Sequence, residues 1–108
     1  MKSNPNPPQN LSREAKAWWR KIVHEYGISD EAGLLLLQTA LEAFDRMRGA
    51  QSAIAEDGLT VEDRYNQKKA HPAIAIEHGA RAHMLLALKA LNLDLEPLKD
   101  GPGRPGGK

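Results

Sequence analysis

The chain contains no cysteine, which excludes disulfide frameworks, thiolate zinc sites and cysteine nucleophiles together. Aromatic residues make up only 5% and are confined to Trp18, Trp19, Tyr26, Phe44 and Tyr65. A core must therefore be assembled mainly from Leu, Ile and Ala. Net charge is also scarce, at +1 with histidine neutral. That is too little to announce a nucleic-acid partner by composition, so any such case must rest on how charge is distributed. Long apolar runs are missing. The strongest, Leu34–Leu37, falls far short of the ~20 residues a membrane span needs, so no membrane partner is expected. Met1 to Asn10 is polar and holds Pro5, Pro7 and Pro8, without the apolar stretch of a secretory signal. There is no glycine-rich nucleotide motif and no serine in a nucleophile elbow. His71, His78 and His83 miss the i, i+3 or i, i+4 spacing that sets ligands on one helical face, and no carboxylate trio accompanies them. The chain reads as non-enzymatic, with no metal and no cofactor; a metal-dependent nuclease is disfavoured.

What is present is an ordinary soluble balance, with 41% hydrophobic and 27% charged residues in 108, consistent with one domain. Residues 1–10 read as a flexible proline-rich arm and 97–108 as a flexible, basic Gly/Pro-rich tail. Between them the pattern is helical. Ser12 is a helix N-cap, and Ala15, Trp18, Trp19, Ile22, Val23 and Tyr26 share one face of a helix from Arg13 to Tyr26, stopped by Gly27. Asp30 caps a longer helix reaching about Glu56, striped by Leu34, Leu37, Leu41, Phe44, Met47 and Ile54, with Gly58 ending it. Leu59 to Ala70 reads as an exposed connection with room for a short hairpin. Pro72 opens a third helix to about Leu91, with His71 as its cap and Asn92 able to take the left-handed position. Its expected apolar arc is Ile74, Ile76, Ala80, Met84, Ala87, Leu88 and Leu91. The fold class is all-α: a three-helix protomer whose long central element is a helical hairpin.

Several residues are candidates for more than folding. Arg13, Lys16, Arg20 and Lys21, with His24, lie opposite the tryptophan face of the first helix, where cations could contact phosphates without reading sequence. The plainer reading is the solvated face of an amphipathic helix. Lys99, Arg104 and Lys108 give the tail a basic character that could add DNA affinity or dock a partner. Trp18 and Trp19 project about 100° apart, so one can serve the core and the other a neighbour; Trp19 is assigned to the subunit contact. Four consecutive leucines cover every side of a helix, so Leu35 and Leu36 are expected at a subunit interface. Glu77 and Arg81 form an i, i+4 pair inside the apolar arc. They fit either an interface that needs specificity or a partly exposed pair of little energetic weight.

Four features occur in order: PQNLSREAKAWWRKIV (Pro8–Val23), GISDEAGLLLLQTALEAFDR (Gly27–Arg46), AIAEDGL (Ala53–Leu59) followed by a polar stretch and His71–Pro72, and LNLDLEP (Leu91–Pro97). Together they resemble the phage terminase small subunit family, in the branch with a proline-rich arm and a His-Pro before the last helix. Asn92 stands where that family usually has glycine. The resemblance implies a non-catalytic protein of the host-cell cytoplasm that forms a ring of copies. It further implies that the protein engages DNA and regulates or recruits the large terminase subunit, which holds the ATPase and nuclease. Residues 11–96 would then be the oligomerising and DNA-engaging domain. The alternative is a small helical DNA-binding transcriptional regulator. Against it, no short, tightly turned helix pair with a polar recognition helix is legible.

Overall fold

The computed structural model describes residues 4–93. Lys99, Arg104, Lys108 and the 97–108 tail lie outside the described residues. The order is α1 (Arg13–Tyr26), α2 (Glu31–Asp57), β1 (Thr60–Glu62), β2 (Lys68–Ala70) and α3 (Pro72–Leu91). The two strands pair antiparallel, Thr60 opposite Ala70 and Glu62 opposite Lys68.

Each helix begins and ends for a local reason. Ser12 Oγ accepts from the Ala15 amide at 3.0 Å, and Gly27 closes α1 in the left-handed region at φ 63°, its amide donating to Val23 O. Asp30 accepts from the Gly33 amide at 2.9 Å. Gly33 is required there, because a Cβ would sit 2.8 Å from Asp30 Oδ1 and 3.1 Å from Ile28 Cγ2. At α3, His71 Nδ1 accepts from the Ala73 amide at 3.0 Å. Its Nε2 therefore carries the proton and donates to Asp57 Oδ2 at 2.9 Å, which ties the end of α2 to the start of α3. Asn92 takes the left-handed position with φ 57°, as the capping pattern predicts.

α2 and α3 pack along one another, and small residues let them do so closely. Ala73, Ala80 and Ala87 are the buried residues of α3, two turns apart in a single strip facing α2, where Ala40, Ala43 and Ala50 are buried. Helices meeting through alanine approach more nearly than helices meeting through leucine. This corrects the expected apolar arc of α3: Ile74 and Ile76 are exposed, and the alanine strip takes the inner face. α1 crosses the other end of the pair. Leu11, Trp19 and Val23 join Leu37, Leu41, Phe44 and Met47 in one core. Leu37 and Val23 are its largest fully buried side chains.

The proline arm is not independent of the helices. Trp19 Nε1–H donates to Pro5 O at 3.0 Å, and Asn10 Nδ2 donates to Glu42 Oε2 at 3.0 Å. The Ser12 amide and hydroxyl both donate to the Asp45 carboxylate, at 2.8 and 2.5 Å. A buried indole N–H needs an acceptor, and the arm supplies it, so residues 5–10 are docked where composition alone predicts a free segment.

Candidate functional site

Two surfaces stand out, one basic and one apolar. On α1, Arg13, Arg20 and Lys21 are exposed and Lys16 is half-buried. Among the described residues no ion pair involves any of them. Two acids share the helix: Glu14 is held by Arg48, Nη2 to Oε2 at 3.2 Å, so its charge is answered from α2, and Glu25 is exposed one turn beyond Lys21. Lys21 Nζ lies 5.0 Å from the centroid of the Trp18 ring, a cation–π approach. The outward side of α1 is thus positive over its first two to three turns, Arg13 to Lys21, and carries an acid at its last turn.

The tryptophans divide their work in the reverse of the expected sense. Trp19 is 3% exposed and belongs to the protomer core, whereas Trp18 is 43% exposed. The assignment of Trp19 to a subunit contact is corrected: its indole is used up by the core and by Pro5. Trp18 instead borders an open apolar groove of about 250 Å³, walled by Ile22 on one side and by Met84 and Leu88 of α3 on the other, with Leu41 and Phe44 as floor.

Leu35 is 64% exposed. Leu36 is half-buried beside Tyr26, Ile28 and Leu91, so the leucine run is partly covered within the protomer. Among the described residues, half of the exposed large hydrophobic ones lie on α3, namely Ile74, Ile76, Leu85 and Leu86, the last two 55% and 64% exposed. The signal was present in the sequence. Between Pro72 and Leu91 only Glu77, His78, Arg81, His83 and Lys89 are polar, and a helix apolar on all sides belongs inside something.

Glu77 faces its own protomer. Its Oε2 accepts from Gln51 Nε2 at 2.9 Å and from Arg81 Nη2 at 2.7 Å. The Gln51 hydrogen bond first, and then Arg81, hold its carboxyl below the ordinary glutamate range. The carboxylate braces α2 against α3, and Arg81 keeps an exposed outer edge. Glu42 is likewise lowered, by hydrogen bonds from Asn10 and then Gln38.

Among the described residues there is no group of three or more His, Asp or Glu placed to hold a metal ion, and no helix long and apolar enough to cross a membrane. A family model described as phage terminase, small subunit matches residues 15–96. That span takes in α1 from its third residue, both later helices and the hairpin between them. No curated protein sequence and no solved structure gives a significant match.

Proposed function

The chain belongs to the phage terminase small subunit family, whose part in viral genome packaging is the premise from which we propose a non-catalytic, self-assembling DNA adaptor for the large terminase subunit. The observation that carries this reading is the uncovered apolar surface of α3. Leu86 and the groove residue Leu88 project about 200° apart around that helix. Leu86 and the groove therefore lie on different sides of one protomer, whereas Leu85 projects only about 60° from Leu88 and shares a pocket with it. A contact joining Leu86 of one protomer to the next one's groove is head-to-tail, and head-to-tail contacts form a ring where the rotation between copies closes and a filament where it does not. Burying a leucine of this kind contributes about 1.5–3 kcal/mol, so two or three per contact support a specific assembly.

DNA engagement falls to the outward cations of α1, Arg13, Lys16, Arg20 and Lys21, through phosphates and without base readout. The family supports the large subunit, with its ATPase and nuclease, as the partner that uses the DNA so held, in the cytoplasm of the host cell. A transcriptional regulator is the second reading, and the oligomer decides between them.

Light scattering on the purified full chain, alone and with a mixed-sequence duplex, tests both parts. The expected mass is several times the 11.9 kDa protomer. It should fall to the protomer in Leu85→Glu/Leu86→Glu with helical content retained. Duplex should enter the wild-type peak and be lost from Arg13→Ser/Arg20→Ser/Lys21→Ser. A well-folded wild-type monomer at high concentration overturns the assembly, and a stable dimer on a palindromic site restores the regulator.

A further inference from the structure

The β-hairpin between α2 and α3 is ordered without having a core of its own. From Leu59 to Ala70 no residue is buried; Val61 and Asp63 are half-buried and the rest are exposed, Leu59 and Tyr65 strongly so. Three-residue strands with no apolar face are at best marginal by themselves. Polar bonds at the tip and base hold this hairpin instead. Asp63 Oδ1 accepts from the amides of Tyr65 and Gln67 at 2.8 and 3.1 Å. The Asp63 amide donates to Gln67 O, and Asn66 closes the turn with φ 62°. At the base the His71 amide donates to Leu59 O at 2.8 Å, beside the His71–Asp57 tie.

Three of the charged side chains left over are cations and one, Glu62, is an acid. Arg64, Lys68 and Lys69 are exposed, with the Arg64 guanidinium carbon 5.5 Å from the Tyr65 ring centroid at the tip. Asp63 is turned inward on its own turn, so Glu62 is the outward acid; directly opposite Lys68, it shares that residue's face, and Lys69 has the other face without an acid of the hairpin. Successive strand residues point to opposite faces, so Lys68 and Lys69 put one cation on each face of the ribbon. An acidic peptide lying on one face would meet only one of them. The major groove of duplex DNA admits a two-stranded ribbon and has phosphates along both walls.

We propose that the hairpin is a second DNA contact, entering a groove of duplex DNA with Lys68 and Lys69 directed to phosphates on opposite walls and Arg64 and Tyr65 leading. The proposal rests on the DNA-engaging reading above and adds a site separate from α1. Lys68→Thr/Lys69→Thr removes both cations while keeping good strand formers, and neither side chain supports a core. Affinity of the full chain for a mixed-sequence 30-base-pair duplex, followed by fluorescence anisotropy across a salt series, provides the test. Each phosphate contact adds roughly 0.9 to the slope of log affinity against log salt. The variant should therefore show a slope shallower by about two per engaged protomer, with affinity lower by roughly tenfold near physiological salt, and with unchanged circular dichroism and oligomer mass. Arg64→Ser should weaken binding in the same direction. Unchanged affinity and slope in the double variant, beside a weakened α1 variant, overturns the hairpin site and leaves the adaptor reading standing. No duplex binding by the wild type overturns both. Intact DNA binding with lost capture of the large subunit would reassign the hairpin to a protein partner.

Discussion

The end of the molecule where α1 crosses the long pair is packed differently from the end that carries the hairpin. At the first, three helices enclose Trp19, Val23, Leu37, Leu41 and Phe44, and the docked arm closes the edge over Trp19. At the second, only α2 and α3 face one another, through Ala50 and Ala73. Isoleucines 74 and 76 stay in solvent, and polar ties do most of the holding: Glu77 to Gln51 and Arg81, and His71 to Asp57. Stability and recognition are thus separated along the hairpin's length. The well-packed end sustains the protomer, and the thin end is left to present side chains outward. Low local stability is what such elements have when they serve partners.

The largest expected effect sits in the thick end. Trp19→Ala should cost about 3–5 kcal/mol, because it leaves a cavity and frees the arm from its acceptor bond. Ile74→Ala, at the thin end, should cost under about 1 kcal/mol, as an exposed side chain loses little burial. Urea denaturation of both variants under conditions where the chain is dispersed makes the comparison, and equal losses would erase the distinction between the ends.

A smaller effect belongs to the tether that fastens α1 to α2. Asp45→Ala removes the acceptor of two hydrogen bonds from Ser12, whose own hydroxyl caps α1, and should cost about 1–2 kcal/mol. Hydrogen exchange should show the loss in the first turn of α1 and leave α3 near Pro72 untouched. Loosening that spread evenly to α3 would mean the two ends are one cooperative unit.

The smallest effect is electrostatic and lies at the thin end. Glu77 is held below the ordinary glutamate value, so its charged form is favoured by folding. Its contribution is complete above the unfolded-state value, near pH 4.3, and disappears as pH falls through the lower folded value. Stability measured from pH 6 downward should begin to decline near pH 5, and less steeply in Glu77→Ala than in the wild type. The same acid slope in both would remove Glu77 from the bracing of α2 on α3.

Much of this architecture was legible because its signals are local. Ser12 and Gly27 bracket α1, Asp30 opens α2, and His71–Pro72 and Asn92 bracket α3, each through the chemistry of one or two residues. Leu59 to Ala70 was legible as an exposed connection with room for a short hairpin, but not the register of its strands, because Asp63 and Asn66 organise a turn whose strands carry no alternating apolar pattern. The role of each tryptophan was not legible. Trp18 and Trp19 both lie on the apolar half of α1, and which of them meets α2 depends on how the helix is rotated against its neighbour. The same holds for α3, whose apolar residues point all round. Sequence periodicity could not show that alanines 73, 80 and 87 would face inward and leave larger side chains outside.

The amino-acid sequence by itself determined where each helix starts and stops, that no thiol chemistry is available, and that cations gather on the outer side of α1. Capping, covalent inventory and helical spacing act over a few residues and need no partner element. Tertiary structure alone decided that the arm is drawn onto Trp19, that the alanine strip takes the α2–α3 seam, and that Lys68 and Lys69 ride on an ordered ribbon. Those outcomes come from competition among surfaces far apart in the chain for a limited amount of buried space.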